Sequence, residues 1–302
     1  MVNVIDWLGL GEFFAILAAI VWALSTILYK GFSHHLTPMQ LNISKGVLAS
    51  AMMLVTIAIT QDAALPHHLT SWLWLIAGGV IGIAIGDSAY FTALRNIGPA
   101  RTLVIESLAP ALVGVFNILL LNHYLSPFAW CGIVLTTIGV VIAIKPEKTL
   151  PQVDHQHYRK GVLCALAAAI CQALGMVMSK GALNNEHMSS LWAALIRLAA
   201  GTMTVALVVA VFKSSEFKQA LTLRGISGKQ WFFAAVFLGT FLGLWLQLGA
   251  VKYTDPAIAQ TIFATAPLIV MSIGFIKREP VTNKMLIGGL LALIGVGVLL
   301  AN

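Results

Sequence analysis

Charged residues are scarce in this sequence. Asp, Glu, Lys and Arg make up only 10% of its 302 residues, against 59% that are hydrophobic, and the mean hydropathy is +0.91. A soluble globular protein contains about 25% charged residues. The chain therefore has too few charges to cover a water-facing surface of this size, which excludes a soluble enzyme, a disordered chain and a coiled coil.

Cysteine and clustered basic residues are also lacking. The three cysteines, Cys131, Cys164 and Cys171, lie inside apolar segments with no spacing typical of a disulfide framework or a metal knuckle. The net charge of +7 comes from Lys and Arg that are scattered singly or in pairs, so no basic stripe predicts nucleic acid binding. The N-terminal residues lack the basic region of a signal peptide, and we expect the first apolar segment to be a permanent helix.

Catalytic motifs are missing as well. The sequence contains no H-E-x-x-H, no G-x-S-x-G and no P-loop. All eight histidines fall in predicted loops or at the ends of apolar segments, so no metal and no cofactor are predicted. A channel is disfavoured because there is no motif like a selectivity filter and no ring of like charges.

What the sequence does contain is a series of ten apolar segments of about 20 residues, the length that crosses the hydrocarbon core of a bilayer. Their approximate limits are 9–29, 38–60, 71–94, 100–121, 127–145, 160–180, 188–212, 230–251, 256–276 and 283–301. We therefore predict an all-α, polytopic membrane protein with ten transmembrane helices and no extramembrane domain. A transmembrane β-barrel is excluded because its strands alternate polar and apolar residues.

The two halves of the sequence repeat each other. A shift of 150 residues aligns Ala18–Ile20 and Lys30 with identical residues at 168–170 and 180, and a shift of 157 aligns Gly82 with Gly239. These matches divide the chain into a first five-helix repeat, residues 1–150, and a second one, residues 151–302. Because five is odd, the second repeat enters the membrane inverted, as in many secondary transporters.

Lys and Arg are distributed unevenly between the two sides of the predicted membrane. One side has only Lys180 and Lys252. The other side has fourteen: Lys30, Arg95, Arg101, Lys145, Lys148, Arg159, Lys160, Lys213, Lys218, Arg224, Lys229, Lys277, Arg278 and Lys284. Since cytoplasmic loops hold the excess of basic residues, the sequence predicts that both termini lie outside.

A series of short patterns recurs in order along both halves. It comprises Trp22 with Lys30, the basic residues Lys45 and Arg197, the run Tyr90–Leu94, Pro110 and Pro267, and residues 277–282 ahead of Gly288 and Gly295. This series resembles the drug/metabolite transporter (DMT) superfamily, and within it the ten-span EamA-type permeases. The sequence departs from the family pattern at His123. Family members commonly have Glu at this position of the first repeat, as this chain has at the corresponding Glu279 of the second. The resemblance implies ten helices around a central cavity and the transport of small metabolites, often outward.

Four charged residues lie within the predicted spans: Lys45, Asp87, Glu106 and Arg197. An ionised side chain inside a membrane is costly, so each one is a candidate for function. Lys45 and Arg197 occupy corresponding positions in the two repeats, which leaves both a structural role and a ligand contact open.

The two acids are not repeated, because Leu244 takes the place of Asp87 and Phe263 that of Glu106. One acid could form a structural ion pair with Lys45. Alternatively, one or both acids bind a cationic or zwitterionic substrate, or exchange a proton with it. We favour Glu106 for proton coupling because it lies one turn before Pro110, where a kink is expected.

Trp22, Tyr90, Trp245, Gln247 and Gln260 are the other predicted substrate contacts. The glycines that recur every four residues, such as Gly78 and Gly82, are interpreted as helix-packing positions. Together these features predict a secondary-active transporter that works by alternating access in the cell (inner, cytoplasmic) membrane. Its expected substrates are amino acids or related small metabolites, with export favoured, and it is expected to be a monomer or a dimer. The alternative is a membrane enzyme or sensor whose binding site opens to one side only.

Overall fold

In the computed structural model, residues 9–121, 127–143, 155–184, 187–222, 228–276 and 282–300 are described, and every regular element among them is helical. The prediction of an all-α fold is confirmed for this part of the chain. The predicted family positions His123 and Glu279 lie outside the described residues.

The first seven helices are α1 (Leu10–Phe32), α2 (Pro38–Thr60), α3 (Leu69–Gly79), α4 (Ser88–Glu106), α5 (Ala109–Leu121), α6 (Pro127–Ala143) and α7 (His155–Asn184). The other seven are α8 (Ser190–Phe212), α9 (Ser214–Thr222), α10 (Lys229–Ala235), α11 (Gly243–Tyr253), α12 (Pro256–Phe263), α13 (Ala266–Ile276) and α14 (Asn283–Leu300).

Seven helical stretches within the described ranges are long and apolar enough to cross a membrane. They are Leu10–Phe32, Pro38–Thr60, Leu69–Glu106, His155–Asn184, Ser190–Phe212, Lys229–Tyr253 and Pro256–Ile276. Ala109–Leu120 and Asn283–Gly295 are shorter apolar helices. The chain is therefore a multi-pass helical protein, whereas the division into ten spans stays a prediction.

Local sequence signals explain where several helices begin. Thr37 and Gln40 form a reciprocal capping box ahead of α2, in which the Thr37 side chain accepts from the Gln40 backbone N–H. The Ser189 hydroxyl accepts from the backbone N–H of Trp192 in α8. The Asp255 carboxylate caps α12 in the same way. Each cap satisfies an N–H group that the first turn of a helix leaves without a partner.

Two helical stretches contain a π-helical segment at corresponding places. The first, π1 (Val80–Asp87), joins α3 to α4, and the second, π2 (Val236–Leu242), joins α10 to α11. π-Helical turns are rare and occur often at functional sites. Both segments line the interior of the protein, as described below.

Two other helical stretches are each interrupted by two residues that are not helical. Helix α4 ends at Glu106 and α5 begins at Ala109, while α12 ends at Phe263 and α13 begins at Ala266. The second residue of each following helix is proline, which lacks the N–H group needed to continue a preceding helix. The kink expected ahead of Pro110 is therefore present as a short break in the helix.

Helices α6 and α14 pack closely through glycines. A side-chain carbon on Gly139 would lie 2.6 Å from the Gly288 carbonyl oxygen, and one on Gly295 would lie 2.7 Å from the Gly132 carbonyl oxygen. These distances are too short for any residue but glycine, so the backbones approach as small residues allow. The higher-numbered glycine of one helix meets the lower-numbered glycine of the other. The two helices therefore run antiparallel.

Two lysines bind the ends of neighbouring helices in the same manner. Lys30 Nζ donates to the Leu94 carbonyl oxygen at 3.0 Å, and Lys180 Nζ donates to the Val251 carbonyl oxygen at 2.9 Å. Leu94 lies just before Gly98, whose φ of 79° interrupts α4, and Val251 lies in the last turn of α11. Carbonyl groups in the last turn of a helix lack intrahelical partners and carry partial negative charge, which a lysine ammonium stabilises. The two contacts relate corresponding residues of the two halves, since the lysines and the acceptors follow the shifts of 150 and 157 residues.

Candidate functional site

Two small cavities lie side by side between the helices. The acidic cavity, of ≈ 50 Å³, is lined by Ala18, Trp22, Leu103, Glu106, Ser107, Ala109, Gln172, Gly243, Gln247, Gln260, Phe263, Ala264 and Pro267. The basic cavity, of ≈ 30 Å³, is lined by Trp22, Lys45, Ile83, Asp87, Gln172, Arg197, Leu198, Gly239, Thr240, Gly243, Leu244 and Gln247. Trp22, Gln172, Gly243 and Gln247 belong to both walls, so the two cavities are neighbours across these side chains.

Most of the substrate contacts predicted from the sequence come together at these cavities. Glu106 and Gln260 line the acidic cavity, Lys45, Asp87 and Arg197 line the basic one, and Trp22 and Gln247 line both. The structure thus gathers residues from widely separated parts of the sequence into one region.

Tyr90 and Trp245 do not line either cavity. Tyr90 is buried with its hydroxyl oxygen 2.6 Å from Thr26 Oγ1, and its ring lies 5.4 Å from the Trp22 ring. Trp245 packs with its ring 5.9 Å from that of Phe241. Tyr90 therefore packs against the Trp22 ring without lining a cavity, whereas Trp245 packs against an aromatic residue of the second half.

Lys45 and Asp87 form a buried ion pair. Lys45 Nζ lies 2.5 Å from Asp87 Oδ2, and the Lys45 and Asp87 side chains are only 5% and 16% exposed. The ammonium group also lies 5.6 Å from the centre of the Phe91 ring, where the ring quadrupole attracts it. Asp87 sits at the end of π1 and faces α2, so the pair joins these two elements. Of the two acids, Asp87 is thus the one that pairs with Lys45.

Arg197, the counterpart of Lys45, has different surroundings. Its residue is 1% exposed, and its guanidinium group lies in a slot between Gly82 and Gly175. A side-chain carbon on either glycine would lie within 2.7 Å of Arg197 Nη2. In the part of the chain that the structure describes, Nη1 lies 3.9 Å from Met176 Sδ and Nε has no hydrogen-bond partner. The guanidinium group is therefore buried without a carboxylate bonded to it among those residues.

Glu106 is the last residue of α4, at the break before α5. Its side chain lines the acidic cavity together with Trp22. None of the ion pairs found among the described residues includes Glu106. Phe263, its counterpart in the second half, lines the same cavity. Corresponding positions of the two halves thus meet here, one acidic and the other aromatic.

The family model for EamA-like transporters matches the chain twice, over residues 9–145 and 159–301. The chain belongs to the EamA-like transporter family. The uncharacterized transporter YyaM of Bacillus subtilis (strain 168) is similar, with 24% identity over 250 residues that cover 82% of this chain and 80% of that protein. A protein of known crystal structure shares the fold, with a TM-score of 0.69 at 19% identity over 96% of both chains.

Membership in this family makes the chain a membrane transporter and confirms the resemblance drawn from the sequence. Members of the family are transporters rather than enzymes. The cavities between the helices are where a small molecule would meet charged groups in this EamA-like transporter, because the buried cations Lys45 and Arg197 both belong to their lining.

Three polar cavity residues of this EamA-like transporter, Ser107, Gln172 and Thr240, escaped the sequence analysis. Gln172 lines both cavities, and the shift of 150 residues pairs it with Trp22, so the repeat could have identified it. Thr240 lines the basic cavity, where its hydroxyl oxygen lies 2.7 Å from that of Tyr29. A single threonine in an apolar segment gives no signal that distinguishes it from a threonine bonded to its own helix.

Proposed function

We propose that this EamA-like protein is a secondary-active transporter that moves small organic metabolites across the cell membrane by alternating access. Amino acids and related compounds are the proposed substrates, and export is the proposed direction. The observation that carries the proposal is a buried group of charged, aromatic and amide side chains at two cavities, within a member of a transporter family. Such groups are costly in a membrane protein, which favours a role in substrate binding.

The proposed architecture is ten spans in two inverted repeats, residues 1–150 and 151–302. Three observations support it. The antiparallel helices α6 and α14 are counterparts under the repeat, Lys30 and Lys180 make corresponding contacts, and both breaks and both π segments recur. Because the two repeats are related by a pseudo-two-fold axis in the membrane plane, exchanging their conformations turns an arrangement open to one side into one open to the other.

The two cavities leave little room for a substrate. Cavities of ≈ 50 and ≈ 30 Å³ hold no more than a few water molecules each. A substrate must therefore enter when the helices move apart. The break at residues 107–108 and its counterpart at 264–265 are the proposed places of bending, because the backbone there is not held by continuous helical hydrogen bonds.

Glu106 is the proposed proton-coupling residue. Coupling requires a titratable group that can be reached from both sides in turn, and an acid locked in an ion pair serves this poorly. Asp87 is bonded to Lys45, whereas Glu106 stands at a helix break beside Trp22. These contacts support Glu106 as the coupling residue and a structural role for Asp87.

The proposed orientation places both termini outside, on the strength of the uneven distribution of Lys and Arg. Alkaline phosphatase fused after Asn302 should be active, and green fluorescent protein fused there should be dark. The reverse pattern would show that the termini are cytoplasmic.

Reconstitution tests the transport function itself. Proteoliposomes that contain the purified chain should show saturable counterflow of at least one labelled amino acid or related metabolite, and liposomes without protein should not. Binding without any counterflow would favour the alternative function, a membrane enzyme or sensor with a site open to one side.

A further inference from the structure

The charges around the basic cavity do not balance. Its lining includes two cations, Lys45 and Arg197, and one carboxylate, that of Asp87. Lys45 and Asp87 neutralise each other in their ion pair. The remaining lining side chains are apolar or neutral, so one positive charge, that of Arg197, is left over at this cavity among the described residues.

The position of Arg197 points to a ligand rather than to packing alone. Its slot exists only because both neighbouring positions, Gly82 and Gly175, lack a side chain. Its Nε atom is buried and has no hydrogen-bond partner in the described structure. A buried N–H group of a charged side chain that lacks a partner costs free energy, which an anionic ligand would recover.

The guanidinium group restricts the chemistry of that ligand. Its planar fork of N–H donors matches a carboxylate with two parallel hydrogen bonds. A single residual positive charge suits a monoanion better than a doubly charged phosphate. The small volume of ≈ 30 Å³ also favours the smaller, planar group.

We propose that Arg197 binds the carboxylate of the transported molecule in the basic cavity. The substrates are thus small carboxylates, among which amino acid zwitterions fit best, because Glu106 lies in the adjoining acidic cavity and can receive an ammonium group. Trp22, Gln172 and Gln247, which belong to both cavities, then surround the atoms between the two charged groups. This inference rests on the proposed transport function and adds the group that every substrate must carry.

The test compares each common L-amino acid with the amine that lacks only its carboxylate, for the full-length chain. Thermal stability of the purified protein reports binding, because a ligand that binds only the folded state raises the melting temperature. Counterflow into proteoliposomes reports transport. We expect at least one amino acid to act in both assays and its matching amine to act in neither.

Variants then locate the carboxylate site. Arg197→Lys keeps the charge but loses the paired hydrogen bonds, so we expect binding of the active amino acid to weaken about tenfold, with the amine still inactive. The matched control is Arg95→Gln, which removes an exposed guanidinium group and should leave binding unchanged. Because wild-type protein alone gives the comparison of acid with amine, the test stands even if an Arg197 variant fails to fold.

The outcomes separate the inference from the transport function. If the amines are transported as well as the amino acids, or if Arg197→Lys binds as tightly as wild type, the inference is wrong and transport stands. If the amino acids bind through Arg197 but nothing is transported, the carboxylate site stands and the transport function is wrong. If no member of any pair binds, the inference is wrong.

Discussion

The two halves of the molecule agree in their scaffold and differ at the cavities. Lys30 and Lys180 bind corresponding carbonyl groups, and the glycines of α6 and α14 make corresponding contacts. At the cavities, by contrast, Glu106 faces its counterpart Phe263. Features present in both halves hold the helices together, while the acids Asp87 and Glu106 occur in the first half alone.

Lys45 and Arg197 show the same division within one pair of corresponding residues. Both are buried cations at equivalent positions, but Lys45 is neutralised by Asp87, whose counterpart in the second half is Leu244. Because the second half lacks this acid, Arg197 has no carboxylate bonded to it among the described residues, and the proposed anion site depends on that difference. Variants that remove either kind of feature can test this division.

The largest effect is expected at the unrepeated acid. Glu106→Gln should abolish substrate accumulation driven by a proton gradient, because the coupling group no longer titrates, while exchange of substrate across the membrane persists. Parallel assays of accumulation and exchange in proteoliposomes measure this. Glu216→Gln, at a carboxylate away from the cavities that forms an ion pair with Lys213, should behave as wild type. Normal accumulation by a stable Glu106→Gln protein would contradict the coupling role.

Breaking the buried ion pair should have the next largest effect. Asp87→Asn leaves the Lys45 ammonium buried without a counterion, which should reduce stability by about 3 to 5 kcal/mol. The double variant Asp87→Asn/Lys45→Met removes the stranded charge and should recover much of that loss. Melting temperatures in detergent provide the measurement.

The exposed pair of Lys213 and Glu216, 3.0 Å apart, is the matched control for the buried one. Its removal should change stability by less than about 1 kcal/mol. If the Asp87→Asn protein melts at the wild-type temperature, the ion pair is not the structural element described above.

A smaller effect is expected from the scaffold glycines. Gly295→Ala places a methyl group against the Thr136 backbone, which should push α6 and α14 apart and cost about 1 to 3 kcal/mol. Gly297→Ala, in the same helix, is a matched control because nothing lies within 4 Å of the added carbon. Equal melting temperatures for these two variants would show that the glycine contact is not needed.

The smallest effect is expected at the lysine contacts. Lys30→Met and Lys180→Met each remove hydrogen bonds to the carbonyl groups of a helix end, which should reduce stability by about 1 kcal/mol. The two losses should be similar, since the contacts correspond between the halves. A large loss for one variant alone, measured by thermal unfolding, would show that the halves differ in their scaffold as well.

The sequence predicted the all-helical class because long apolar segments leave little choice of structure in a membrane. Gln172 could also have been predicted as a cavity residue, because the repeat aligns it with Trp22. The partner of Lys45 could not be predicted, because both acids are isolated in apolar segments and only the packing of α2 against π1 brings Asp87 to it. The π segments were also unpredictable, since a helix with one extra residue per turn shows nearly the same run of apolar residues.

The small size of the two cavities affects every affinity that will be measured for this transporter. Under the proposed alternating access, a substrate binds only those molecules whose helices have separated, so the apparent dissociation constant equals the intrinsic one divided by the fraction of open molecules. If about one molecule in a hundred is open, the apparent affinity is about a hundredfold weaker than the contacts themselves would give. A substitution that loosens the closed form, far from the cavities and without any contact to substrate, would then tighten binding.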